Sequence, residues 1–159
     1  MSRLLTLLCL CALAACSVGG PAASQAATSP PATAAPAPGG ETAQVELDVF
    51  SGRPNPSWAL SDIERATFIK LAAGLATTAE QAYPGRLGYR GMMVSLRNDA
   101  GGELIWRVWG HVAQRTSGAT TAYYGDPQQR LQKWLLQAGQ PHLAADLFET
   151  VQADVTANP

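Results

Sequence analysis

Apolar and polar residues alternate most cleanly at two places, just before residue 51 and from residue 91 onward. Val45, Leu47 and Val49 alternate with Glu46, Asp48 and Phe50, which predicts a half-buried strand. In Gly91 to Asn98, Met92, Val94 and Leu96 point one way and Met93, Ser95 and Arg97 the other. Asn98-Asp99-Ala100-Gly101-Gly102 then predicts a hairpin turn. The strand after it, Glu103 to about Ala113, sends Leu104, Trp106, Val108 and Val112 to one face and Ile105, Arg107, Trp109 and His111 to the other. Between the two alternating regions the period lengthens. Phe68, Leu71, Ala72 and Leu75 fall at i, i+3, i+4 and i+7, and Ser61 with Glu64 makes a capping box, so a helix is predicted from about Asp62 to Thr77.

Tyr83-Pro84-Gly85 and Leu87-Gly88 mark a loop, Arg115 to Gly118 a second, and Thr120 to Tyr124 is a candidate for one more short strand. Asp126-Pro127 is a helix start, Leu131, Trp134, Leu135 and Ala138 its apolar stripe, and Gly139 its stop. Pro141 opens a last helix with a face of Leu143, Leu147, Phe148 and Val151. The order β-α-β-β-(β)-α-α predicts an α+β fold, a small antiparallel sheet of 3–4 strands with helices packed on one face.

Before Val45 the composition changes. Arg3 is a short positive stretch and Leu4 to Leu13 an apolar run too short to span a bilayer as a stable helix. It ends in Leu13-Ala14-Ala15-Cys16, which resembles the lipobox of bacterial lipoproteins. The resemblance implies a signal peptide over 1–15, cleavage before Cys16, and acyl chains on Cys16 that anchor the mature protein; several chains hold a protein far better than one. In a Gram-negative cell it implies the outer membrane, facing the periplasm. An ordinary secretory signal with an incidental cysteine is the plainer alternative. From Cys16 to Gln44 the chain is almost all Ala, Pro, Ser, Thr and Gly, with Pro30-Pro31, Pro36 and Pro38 breaking any helix, and is expected to be a disordered tether. The remainder, 45–159, is expected to be one domain.

Charge and cysteine usage narrow the partners. The 159 residues carry a formal net charge of −1, with no basic stripe, which argues against nucleic acid. All three cysteines lie within the first sixteen residues, so the domain has no disulfide and no thiol nucleophile. The two histidines are far apart and lack any paired-ligand spacing, so neither a metal nor another cofactor is expected. Ser51, His111 and Asp48 make a hydrolase triad on paper, but no nucleophile elbow surrounds Ser51.

Two loops and one sheet face remain as candidate binding sites. In Asp48 to Trp58, Gly52 tolerates positive φ while Pro54 and Pro56 stiffen their neighbours, which would hold Arg53 and Asn55 out from the loop. Arg90, in Leu87-Gly88-Tyr89-Arg90-Gly91, could help Arg53 grip an anion or could simply bond loop carbonyls while Tyr89 packs. Phe-Ser-Gly-Arg-Pro-Asn-Pro-x-Trp (50–58) followed by Leu-Gly-Tyr-Arg-Gly (87–91) resembles a domain type found in uncharacterised bacterial proteins, and implies no activity. The face away from the helices would gather Arg97, Arg107, Trp109 and His111 with Glu46 and Asp48, a surface suited to a sugar, a peptide or a partner protein. Cross-strand pairing of those arginines with the carboxylates is the plainer alternative.

The sequence therefore predicts a lipid-anchored cell-envelope protein whose domain binds an envelope protein or a glycan. The alternatives are a structural or accessory lipoprotein without a ligand site and an envelope hydrolase.

Overall fold

A computed structural model of the chain describes residues 41–157. Cys16 and nearly all of the expected tether lie outside the described residues. Seven strands form one antiparallel sheet: β1 (Thr42–Asp48), β2 (Ser57–Ala59), β3 (Ala76–Thr77), β4 (Gly91–Arg97), β5 (Glu103–Trp109), β6 (Val112–Ser117) and β7 (Thr120–Gly125), in the order β2-β1-β4-β5-β6-β7-β3. The helices are α1 (Asp62–Ala73), α2 (Arg130–Gly139) and α3 (Ala145–Ala157), with a 3-10 turn, Gln140–His142, after α2. The fold is α+β, but the expected sheet of 3–4 strands is overturned by these seven.

Three local features account for the difference. Ser57–Ala59 and Ala76–Thr77 are too short to show a period, yet each adds an edge strand. The expected strand from Glu103 to Ala113 breaks at Gly110-His111, where Gly110 takes φ +47° and a two-residue turn pairs Trp109 with Val112. That turn reverses the parity of the returning strand: Val112 lies on the face of Trp109, and Ala113 lies beside Val108 on the other. Arg115 to Ser117, expected as loop, continues β6, because its polar side chains lie where the sheet is not fully covered.

All three helices pack on one face. Val45 and Leu47 of β1, Met92 and Val94 of β4, and Trp106 and Val108 of β5 are buried there. They meet Phe68 and Ala72 of α1, Leu131 and Leu135 of α2, and Phe148 and Val151 of α3 in one cluster. Each of the buried Val, Leu, Met and Phe side chains among them contributes about 1.5–3 kcal/mol by leaving water. The capping box starts α1: Ser61 Oγ accepts the Glu64 N–H, and the Glu64 carboxylate accepts the Ser61 N–H at 2.8 Å. That serine also holds the Glu64 carboxyl below its ordinary pKa. The helix stops at Ala73, earlier than expected, because the chain then leaves to pair Ala76–Thr77 with β7.

Helix α2 starts at Arg130 rather than at Pro127. The buried Asp126 still caps it from outside, its Oδ2 accepting the Leu131 N–H at 2.7 Å. Gln129, at φ 53°, makes the bend between cap and helix. At its other end Gly139 lets the Trp58 ring lie on the backbone; a Cβ there would fall 2.5 Å from Trp58 Cζ2. Trp58 also stacks on His142, with ring centroids 6.2 Å apart. The edge strand β2 is thereby fastened to the helical layer.

Candidate functional site

The face turned away from the helices is read row by row from the strand register. One row is Gln44, Ser95, Ile105, Thr116 and Thr121; the next is Glu46, Met93, Arg107, Gln114 and Tyr123; a third has Asp48, Gly91, Trp109 and Val112. The segment between β3 and β4 crosses this face and divides it. Thr78 donates its N–H to Tyr123 O at 2.9 Å, and Tyr123 donates its hydroxyl to Glu80 Oε1 at 3.2 Å. Tyr83 then sets its ring edge-on against Trp109, with centroids 5.2 Å apart. Trp109, expected as an accessible binding aromatic, is only 7% exposed.

Under that roof the two motif loops meet. Tyr83 donates its hydroxyl to Asp48 Oδ2 at 2.8 Å, and Arg90 Nε donates to the same oxygen at 2.9 Å. Arg90 Nη2 donates to Asp48 Oδ1, and also to Phe50 O at 3.3 Å. Asn55 Nδ2 reaches Asp48 Oδ1 at 3.4 Å and Glu46 Oε1 at 3.0 Å. Asn55 Oδ1 accepts the Val49 and Phe50 N–H groups at 3.1 and 2.8 Å. Asn55 therefore turns inward, contrary to expectation: between two prolines that remove donors, it supplies the acceptor that the preceding strand end needs.

The electrostatics follow from these bonds. Arg90, foremost, holds the Asp48 carboxyl below its ordinary pKa, with Tyr83 and Asn55 adding to the effect against a partial burial that opposes it. Asp48 in turn raises that of Arg90. Burial first, and then the bond to Asp48, push the Tyr83 phenol well above its usual range. A carboxylate with both oxygens occupied and stabilised as the anion is a poor general base near neutral pH.

The expected residues thus separate. Arg90 belongs to the lock around Asp48. Arg97 forms an exposed ion pair across the hairpin with Glu103, Nε to Oε1 at 3.1 Å. Arg53 is exposed and lays its guanidinium over the Phe50 ring, 3.4 Å from the centroid. His111 is exposed in the β5–β6 turn, and its carbonyl accepts the Asp126 N–H at 2.6 Å. Ser51 lies 3.4 Å from Arg90 Nη1, and among the described residues no hydrogen bond links it to His111. The three members of the paper triad are not brought into a relay.

Arg107 is different. Its strand neighbours in the row, Met93 and Gln114, are uncharged, and among the described residues it makes no ion pair with a carboxylate. It is exposed, with its guanidinium 5.7 Å from the Tyr83 ring centroid. The carboxylates expected to pair with it are engaged elsewhere, by Asn55 and Arg90.

Sequence reasoning missed two contributors. Tyr83 was legible only as a residue of a turn, since nothing local says that its loop crosses the sheet. Gln132, on the stripe-flanking side of α2, is buried with its Nε2 donating to the buried Tyr89 hydroxyl at 2.9 Å, while its Oε1 has no protein partner. Burial raises the pKa of the Tyr89 phenol despite that bond. Tyr89 and Gln132 line a cleft of about 290 Å³ beside Arg86, which binds both Asp154 oxygens at 3.0 and 3.1 Å. Among the described residues no group of three His, Cys, Asp or Glu side chains could hold a metal ion.

A scan against protein-family models and searches of the curated proteins and of the solved structures found no match to the chain.

Proposed function

We propose that the chain is a lipid-anchored cell-envelope protein, held by Cys16, whose domain binds an envelope protein or glycan through the uncovered lane of its sheet. The lane consists of the row from Gln44 to Thr121 and the part of the next row around Arg107, short of Tyr123, which Glu80 of the crossing segment engages. The observation that carries this is the state of Arg107, an exposed guanidinium that makes no ion pair among the described residues and whose two flanking side chains, Met93 and Gln114, are uncharged. A partner presenting an acidic group would complete the pairing that the described residues do not make. Met93 and Ile105 add partly buried apolar surface around it. Among the described residues no helix is long and apolar enough to cross a membrane; the proposed attachment draws on the Leu13-Ala14-Ala15-Cys16 segment.

The second reading, an accessory lipoprotein without a ligand site, draws on the roof over Trp109, which removes the strongest aromatic from the surface.

Site-specific photo-crosslinking in cells making the full chain tests the first against the second. A crosslinker at Gln114, in the lane, is expected to give a discrete adduct that Arg107→Glu abolishes. The same group at Glu149, exposed on α3, is expected to give none. Equal adducts from both positions, or indifference to Arg107→Glu, would sink the lane as a binding surface. Incorporation of labelled palmitate that Cys16→Ser eliminates is the expected sign of the anchor.

A further inference from the structure

The helix-covered face is not covered throughout. Where β4 to β7 approach their hairpin tips, only α1 stands over the sheet, and a groove of about 340 Å³ opens between them. No residue of α2 or α3 lines it. Its helix wall is Phe68, Ile69 and Ala73 with Leu75 beyond, and its floor is Leu96, Leu104 and Trp106. Water reaches the rim: Ile69 is 44% exposed, one of three large apolar side chains so exposed among the described residues.

The polar contribution is confined to one end. Tyr124 tilts against Trp106, with ring centroids 5.4 Å apart, and Arg115 lies over Tyr124, 5.7 Å from the centroid. Arg115 is the one charged residue lining the groove, and among the described residues it makes no ion pair. An apolar channel with a single uncompensated guanidinium at one end is complementary to an amphiphile with an acidic head. A peptide fits the same walls badly, because its backbone N–H and C=O groups would be buried against hydrocarbon without partners. An acyl chain carries no such groups.

We propose that this groove binds one fatty acid, its chain between α1 and the sheet and its carboxylate on Arg115. The site is separate from the lane on the opposite face and does not depend on that reading.

The test uses the full chain carrying Cys16→Ser, so that no acyl chain of its own competes, with dodecanoate as the probe in calorimetric titration. Saturable binding at one site is expected. Ala73→Trp, at an exposed position lining the groove, is expected to abolish it, and Ile69→Asp on the rim to weaken it at least as strongly as removal of the head partner. Both are checked for folding by circular dichroism. Arg115→Gln is expected to weaken dodecanoate about tenfold, the loss of one charge-assisted hydrogen bond, and to leave dodecan-1-ol binding unchanged. Absence of saturable binding overturns the proposal. So does undiminished binding by folded Ala73→Trp or Ile69→Asp, or an equal loss of acid and alcohol in Arg115→Gln. A dimer that Ala73→Trp dissociates and dodecanoate does not would assign the groove to a second copy, and would also overturn it.

Discussion

Asp48 and Arg107 stand on the same face of the same sheet, one row apart, and meet opposite circumstances. Around Asp48 every acceptor is engaged by Arg90, Tyr83 and Asn55, and the neighbouring Trp109 is roofed by Tyr83. Around Arg107 the roof ends, the flanking side chains are neutral, and the guanidinium faces water. Charge density alone does not separate a structural polar cluster from a recognition surface. The difference lies in whether the fold has already supplied the partner. At the roofed end it has; in the lane Arg107 has the Tyr83 ring but, among the described residues, no carboxylate.

The sharpest way to break this contrast is to truncate two residues only two apart in β5. Trp109→Ala is expected to cost about 3 kcal/mol, as removal of a buried aromatic does. Arg107→Ala should stay within about 0.5 kcal/mol, as changes at exposed positions do. Urea denaturation of both measures the difference, and comparable losses would erase the distinction between the two ends.

Next in size is Arg90→Met. It leaves the part-buried Asp48 carboxylate with Tyr83 and Asn55 alone, and frees Phe50 O. The expected result is a measurable loss in urea denaturation, smaller than that of Trp109→Ala and smaller than for a fully buried pair, because both side chains keep some contact with solvent. Arg53→Met, which removes only a stacked surface cation, is the matched control and should cost under about 0.5 kcal/mol.

A smaller effect concerns acid. The Asp48 carboxyl is depressed in the folded state, by Arg90 foremost, from an ordinary value of 3.8. A depressed carboxyl contributes stability that is fully present above its unfolded pKa and is lost as pH falls through the folded one. Denaturant midpoints of the wild type should therefore fall on going from pH 6 to below that unfolded value by more than those of Asp48→Asn. Parallel declines would remove Asp48 from the account of acid sensitivity. Smallest of all, Arg97→Gln should be nearly silent in stability, since its bond to Glu103 is an exposed hairpin pair.

Parts of this arrangement were legible beforehand. The alternation in 45–48 and 91–97, the capping box at Ser61 and Glu64, and the hairpin at Asn98 to Gly102 rest on local chemistry, and local chemistry is what a sequence displays. The first strand ends at Asp48, short of Val49 and Phe50. The turn at Gly110-His111 was hidden because a two-residue reversal can sit inside an apparently unbroken period-two pattern, with one glycine as its only mark. The edge strands were hidden by their length. The lock was hidden by distance: Asp48 and Arg90 are 42 positions apart, and nothing near either residue names the other. Asn55 was the avoidable miss. An asparagine set between prolines, just after a strand end with free N–H groups, is more apt to serve those groups than to point outward.

The two borders of the sheet differ in a way that bears on self-association. On one side β2 is three residues long, follows Pro56, and is held by Trp58 against Gly139, so little of it can accept a foreign strand. On the other, β3 pairs only with Tyr124 and Gly125, and among the described residues no strand lies outside Thr120 to Ala122. Those three residues form an unprotected strand margin without proline or a charged side chain to deter pairing. Edge-to-edge aggregation of the concentrated domain would nucleate there, and a lysine at Thr121 is the change that would discourage it.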